Sequence, residues 1–80
     1  MDALQNARAE IDAVDAQLAA LFERRMAAVL TVAQYKKEHG LPIFDAAREA
    51  VVLDRSAARI QDPALRPYYR DHVQNLMDVA

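Results

Sequence analysis

No Pro and no Gly interrupts residues 2–39 of this 80-residue chain, and through that stretch apolar side chains recur by alternating threes and fours. Leu4, Ala7, Ile11, Val14, Leu18, Leu21, Ala28, Val32 and Tyr35 lie on one stripe, broken only by Arg25. That spacing is the signature of an amphipathic helix. The stop is equally clear, because Gly40 can adopt a left-handed C-terminal conformation and Pro42 cannot continue the ladder. One helix is expected over about residues 3–38. At 1.5 Å per residue it would be ~54 Å long, whereas a globule of this size has a radius of gyration of about 12 Å and a diameter of ~30 Å. The rest of the chain is too short to cover both ends of the stripe. A second copy would cover it most simply, with the two long helices antiparallel and sharing one core. The expectation is an intertwined homodimer, with a solitary extended coiled coil as the plainer alternative.

The remaining sequence reads as two shorter helices. Asp45 is a good N-cap for a segment that runs through Arg48, Glu49, Val52, Leu53 and Ser56 to about Ile60. A third begins near Asp62-Pro63 and carries Leu65, Tyr69, Val73, Leu76 and Ala80 at helical spacing to the end of the sequence. No strand pattern, internal repeat or linker competes. The fold class is therefore all-α in a single domain over residues 1–80, with helices at about 3–38, 45–60 and 63–80.

Composition narrows the function. Hydrophobic residues make up 54% of the chain, but 17 of them are Ala, which favours helices while burying little area per residue. A single core this small contributes only about 3–5 kcal/mol, so a disulfide, a metal or oligomerisation usually helps. With no Cys there is no disulfide and no thiolate zinc site, and two His, His39 and His72, are too few for a metal unless carboxylates join them. Oligomerisation is the expected support. A formal net charge of −2 gives no general attraction to nucleic acid or anionic membranes. The N-terminus has neither the basic nor the apolar region of a secretion signal, and no stretch reaches the ~18–20 apolar residues of a membrane span. A cytoplasmic protein is expected.

Against that background a few charged residues stand out. Arg25 sits on the apolar seam, where a charge is costly unless paired. Lys36 lies eleven residues further on, which returns it to within ~20° of the same line about three turns away. Both cations would then face one groove, with Val29 and Val32 between them. The ordinary alternative is that Arg25 pairs with a carboxylate such as Glu49 and Lys36 reaches to solvent along its stem. Arg8, ~25 Å from Arg25 along the axis, could meet the same ligand only from an antiparallel partner. Arg48 and Glu49 in the first turn of the second helix also have ordinary readings as an ion-pair member and a complement to the helix dipole. No Gly-rich phosphate loop, zinc-protease signature, nucleophile–His pair or basic–aromatic interleaving is present. Cationic groups around an apolar, helix-lined groove suit a small dianion better than a polyanion.

The order, type and spacing of these residues resemble the all-helical, AroQ-type chorismate mutase family. The match runs through Arg8-x-x-Ile11-x-x-x-Asp15, Leu21 to Arg25, and Lys36-x-x-x-Gly40-x-Pro42-x-x-Asp45-x-x-Arg48-Glu49. It is close over about residues 4–55 and looser beyond. The resemblance implies an intertwined dimer of three-helix protomers with two active sites, each drawing on both chains. It implies conversion of chorismate to prephenate, a Claisen rearrangement in aromatic amino acid biosynthesis that uses no cofactor and no metal. Carried over by position, Arg8 from the partner chain and Arg25 would clamp the two carboxylates. Lys36 would hydrogen-bond the ether oxygen of the breaking bond, and Asp45 (through its backbone), Arg48 and Glu49 would hold the hydroxyl side of the ring. The residues expected to be catalytic are thus Lys36, Arg25, Glu49 and Arg8.

One departure concerns the end of the third helix, where the family has a Ser and, four residues later, a Gln or Glu. Ala80 falls at the Ser position, so either the register shifts by one or two residues or the helix continues in a longer polypeptide. Fusion to another aromatic-pathway domain is compatible with the second case. Two other functions share the scaffold: lyase cleavage of isochorismate to salicylate and pyruvate, and a non-catalytic dimerisation or regulatory module.

Overall fold

A computed structural model describes residues 2–80. Three α-helices form, with no strand among the described residues: α1 (Ala3–Glu38), α2 (Ala46–Ala58) and α3 (Arg66–Asp78). The all-α architecture of one long and two shorter helices agrees with the periodicity. The chain divides into two compact units between Tyr35 and Lys36, and each is described by itself.

The first unit is the greater part of α1. Asp2 starts the helix: its carboxylate accepts from the Gln5 N–H at 2.8 Å and its carbonyl from the Asn6 N–H at 3.0 Å. The second is the first intrahelical bond; the first satisfies one of the N–H groups that a helix start leaves without an intrahelical partner. No residue of α1 is buried. Leu4, Ile11, Leu18, Leu21 and Val32 are all about half exposed or more, so the stripe is formed but uncovered. Uninterrupted backbone bonding explains the helix; burial within the chain does not, and long helices ordinarily take most of their stability from a packed apolar face.

The second unit holds the end of α1, the connecting loop, α2 and α3. Gly40 terminates α1 with φ +65°, the Leu41 N–H bonding the Lys36 carbonyl at 2.8 Å and the Gly40 N–H the Lys37 carbonyl at 3.4 Å. This pair of bonds is the Schellman arrangement, which satisfies carbonyls that the helix end would otherwise leave open. A Cβ at Gly40 would meet nothing within 4 Å, so the demand for glycine comes from the backbone angle alone.

α2 and α3 pack against each other around Ser56 and Val73, each 4% exposed, with Val52, Leu53, Ala57, Ile60, Tyr69, Leu76 and Met77 partly buried around them. Ser56 is small enough to let the helices approach closely, and no buried side-chain N or O atom among the described residues lacks a hydrogen-bond partner. The connection is tight. The Arg59 and Ile60 N–H groups close 3₁₀-type bonds to Ser56 and Ala57, so α2 ends at Ala58. The Arg66 Nε donates to the Ile60 carbonyl at 2.9 Å and ties the start of α3 back across the turn. The third segment, expected as one helix from about 63 to 80, instead begins with a 3₁₀ turn at Pro63–Leu65, capped by Asp62, and its α-helix stops at Asp78. Proline at 63 and again at 67 removes two backbone donors, which makes a tight turn the natural entry. No helix among the described residues is long and apolar enough to cross a membrane.

Arg70 and Asp54 form an ion pair across the two helices at 2.9 Å, but both side chains are well exposed and such pairs contribute at most about 1 kcal/mol. The close packing at Ser56 matters more. Ser56→Leu is expected to lower stability by about 1–3 kcal/mol through overpacking, and Asp54→Ala by less than about 1 kcal/mol. Urea unfolding followed by circular dichroism measures both, and equal losses would refute the packing assignment.

Candidate active site

The segment from the last turn of α1 to the first turn of α2 carries four of the six expected site residues. Lys36 is half-buried and belongs to the turn that Gly40 closes. Its Nζ donates to the Ile43 carbonyl at 3.0 Å, seven positions further along the chain. Lys36 is thus tied to the loop twice, by its carbonyl to Leu41 and by its ammonium to Ile43. It does not simply reach into solvent.

Two residues after Ile43 the chain enters α2. Asp45 has extended backbone angles (φ −136°, ψ 96°), and its carboxylate accepts from the Arg48 N–H at 3.0 Å. The Glu49 N–H donates to the Asp45 carbonyl, also at 3.0 Å. The backbone reason for an Asp at this position is therefore an N-cap, and the role fixes where Arg48 and Glu49 start. Arg48 is exposed and Glu49 is partly buried, its carboxylate in the first turn where the helix dipole favours negative charge.

Arg8 and Arg25 stand on α1 in the first unit, ~25 Å apart along its axis. Arg8 is exposed and Arg25 is half-buried. The local segment thus carries Lys36, Asp45, Arg48 and Glu49, and Arg8 and Arg25 are two separate points along α1. Sequence reasoning did not find the Ile43 carbonyl as the partner of Lys36. The only hint was Gly40, whose left-handed turn folds the following residues back toward the last turn of the helix. Among the described residues no three His, Asp or Glu side chains cluster as a metal ion would require.

These elements define a small all-helical domain that presents charged groups from a long helix and from the capped start of a second one. Comparison with known proteins supplies the family. The model of chorismate mutase type II matches residues 7–80. A 4-amino-4-deoxychorismate mutase of Streptomyces venezuelae is 37% identical over 76 residues, covering 95% of this chain and 71% of that protein. The T-protein of Haemophilus influenzae is 36% identical over 85 aligned residues, covering 94% of this chain but only 22% of its own length. No solved structure matches significantly. The chain belongs to the chorismate mutase type II family and is a chorismate mutase domain.

The capping geometry can be tested apart from catalysis. Asp45→Ala is expected to lower stability by about 1 kcal/mol, whereas Asp45→Asn, which keeps an acceptor oxygen, stays within a few tenths. Thermal unfolding by circular dichroism reads the difference. Equal losses for the two variants would contradict the N-cap assignment.

Proposed function

We propose that this domain catalyses the rearrangement of chorismate to prephenate, with residues 1–80 acting as one domain in an intertwined homodimer and two sites that each use both chains. The observation that carries the activity is family membership along nearly the whole chain, joined to the local segment in which Lys36 is held to the loop that delivers Asp45, Arg48 and Glu49. The observation that favours the dimer is α1, a 36-residue helix that buries none of its residues. A second copy supplies both the missing cover and an Arg8 for the groove of its neighbour.

The reaction breaks the ether C–O bond and forms a C–C bond within one molecule, six electrons moving in a ring. The protein's part is to fold the flexible enolpyruvyl arm over the ring and to stabilise charge where it develops. Arg25 and the partner chain's Arg8 hold the two carboxylates, each guanidinium offering a planar pair of donors that matches a carboxylate. That fixes the reacting ends near one another before the bonds change. Lys36 places an ammonium at the ether oxygen, where negative charge grows as the C–O bond stretches. Asp45 through its backbone, Arg48 and Glu49 hold the hydroxyl side of the ring.

The Streptomyces relative suggests a second candidate substrate, because its name specifies the 4-amino compound and its similarity runs over almost this entire chain. Glu49 would accept a hydrogen bond from either a hydroxyl or an ammonium at that ring position. The T-protein match, confined to about a fifth of that protein, fits a domain type that also works joined to further chain. A cytoplasmic location suits a chain with no Cys and a small soluble substrate.

The kinetic test compares the wild-type chain with Lys36→Ala and Arg25→Ala, with spontaneous rearrangement subtracted. Lys36→Ala should lower kcat by about 10²–10³ with the helical content unchanged. Arg25→Ala should weaken binding as well as turnover. Turnover indifferent to both substitutions would refute the assignment, and assays with chorismate and its 4-amino analogue in parallel decide which substrate the site prefers.

A further inference from the structure

The double attachment of Lys36 has a chemical meaning beyond helix termination. A lysine ammonium on a four-carbon stem is ordinarily a mobile charge with considerable rotamer freedom. Here one of its three donors is engaged by the Ile43 carbonyl at 3.0 Å, and the side chain is half-buried. Two donors remain for another partner. The acceptor lies where it does because the chain reverses at Gly40, whose φ of +65° lets Leu41 bond back to Lys36 and carries residue 43 alongside the last turn of α1. Nothing but the backbone angle calls for glycine, since a Cβ there would meet open space.

We propose that Gly40 is a positioning residue: its left-handed turn brings the Ile43 carbonyl to the Lys36 ammonium and orients that charge before any substrate arrives. The inference rests on the reading of Lys36 as the group that acts on the ether oxygen. An electrostatic catalyst is effective when its charge needs no reorganisation during the reaction, and an ammonium with one donor already committed is such a charge. The same loop then sets the spacing from Lys36 to Asp45, only two residues past Ile43. A residue with no functional side chain thereby affects turnover through the lysine it orients.

The test pairs ¹³C relaxation at the Lys36 ε-carbon, with the exposed Lys37 as internal reference, with steady-state kinetics on chorismate. The proteins are the wild-type chain, Gly40→Ala, and Gly40→Asn, since Asn tolerates the left-handed region better than other side chains. Lys36 should be more ordered than Lys37 in the wild type and lose that order in Gly40→Ala. There kcat should fall about tenfold while KM changes less than about twofold, and Gly40→Asn should restore most of both. If Gly40→Ala does not fold, chemical synthesis with an ester in place of the Ile43–Phe44 amide weakens the acceptor carbonyl and leaves the turn intact. It should reduce Lys36 order and lower kcat by about threefold.

A Lys36 no more ordered than Lys37, or order and kcat that survive Gly40→Ala in a folded chain, overturns the proposal. Order that depends on Gly40 without any Lys36-dependent turnover in the wild type would instead support the positioning and refute the chorismate reading.

Discussion

The apolar stripe of α1 is the constraint on which everything else depends. A continuous helix of 36 residues is far longer than a globule of this size is wide, and none of its residues is buried. Helices gain most of their stability from burying such a face. An Ala-rich chain with a small core and no Cys has few other sources of stability. In the proposed dimer the need for cover and the need for a second cationic group are met by one arrangement, because the partner that buries the stripe also brings Arg8. Stability and catalysis then share one interface, and a change that weakens the dimer also weakens the site.

The contribution of the second unit is local and differently built. Its helix ends are made by caps: Gly40 at the end of α1, Asp45 at the start of α2 and Asp62 before the 3₁₀ turn. Each cap satisfies backbone groups, and two of them lie beside side chains that the proposed site uses. Asp45 orients the first turn that holds Arg48 and Glu49, and the Gly40 turn meets Lys36. For a reaction that proceeds within a single molecule, orientation and fixed charge are the main tools available to a protein. Backbone caps suit that task because they are short and rigid.

Much of this was legible in the sequence, and what was not has identifiable causes. The three helices follow from periodicity and from Gly40, Pro42, Asp45 and Pro63, because their signals act within one turn of the residues that carry them. That Lys36, Asp45, Arg48 and Glu49 fall in one segment was legible for the same reason, that segment being 14 residues long. The 3₁₀ entry to the third helix was not, since proline marks a boundary without specifying the turn. Ser56 at the α2–α3 contact gave no signal, because small residues are common on exposed and buried helix faces alike. The bond from Lys36 to Ile43 was hidden more deeply: its acceptor is a backbone carbonyl, which every residue has and no side-chain pattern marks. Arg8 and Arg25 are the opposite case, conspicuous by type and position but far apart on one helix.

The shared site is tested most directly by mixing two inactive variants, Arg8→Ala and Arg25→Ala, under conditions that exchange subunits. If each site takes Arg25 from one chain and Arg8 from the other, half of the random dimers are mixed and each carries one intact site. Activity should then recover to about a quarter of the wild-type level. Two variants that stay inactive after demonstrated exchange, or a wild-type chain that is active as a monomer, would contradict a site built from two chains.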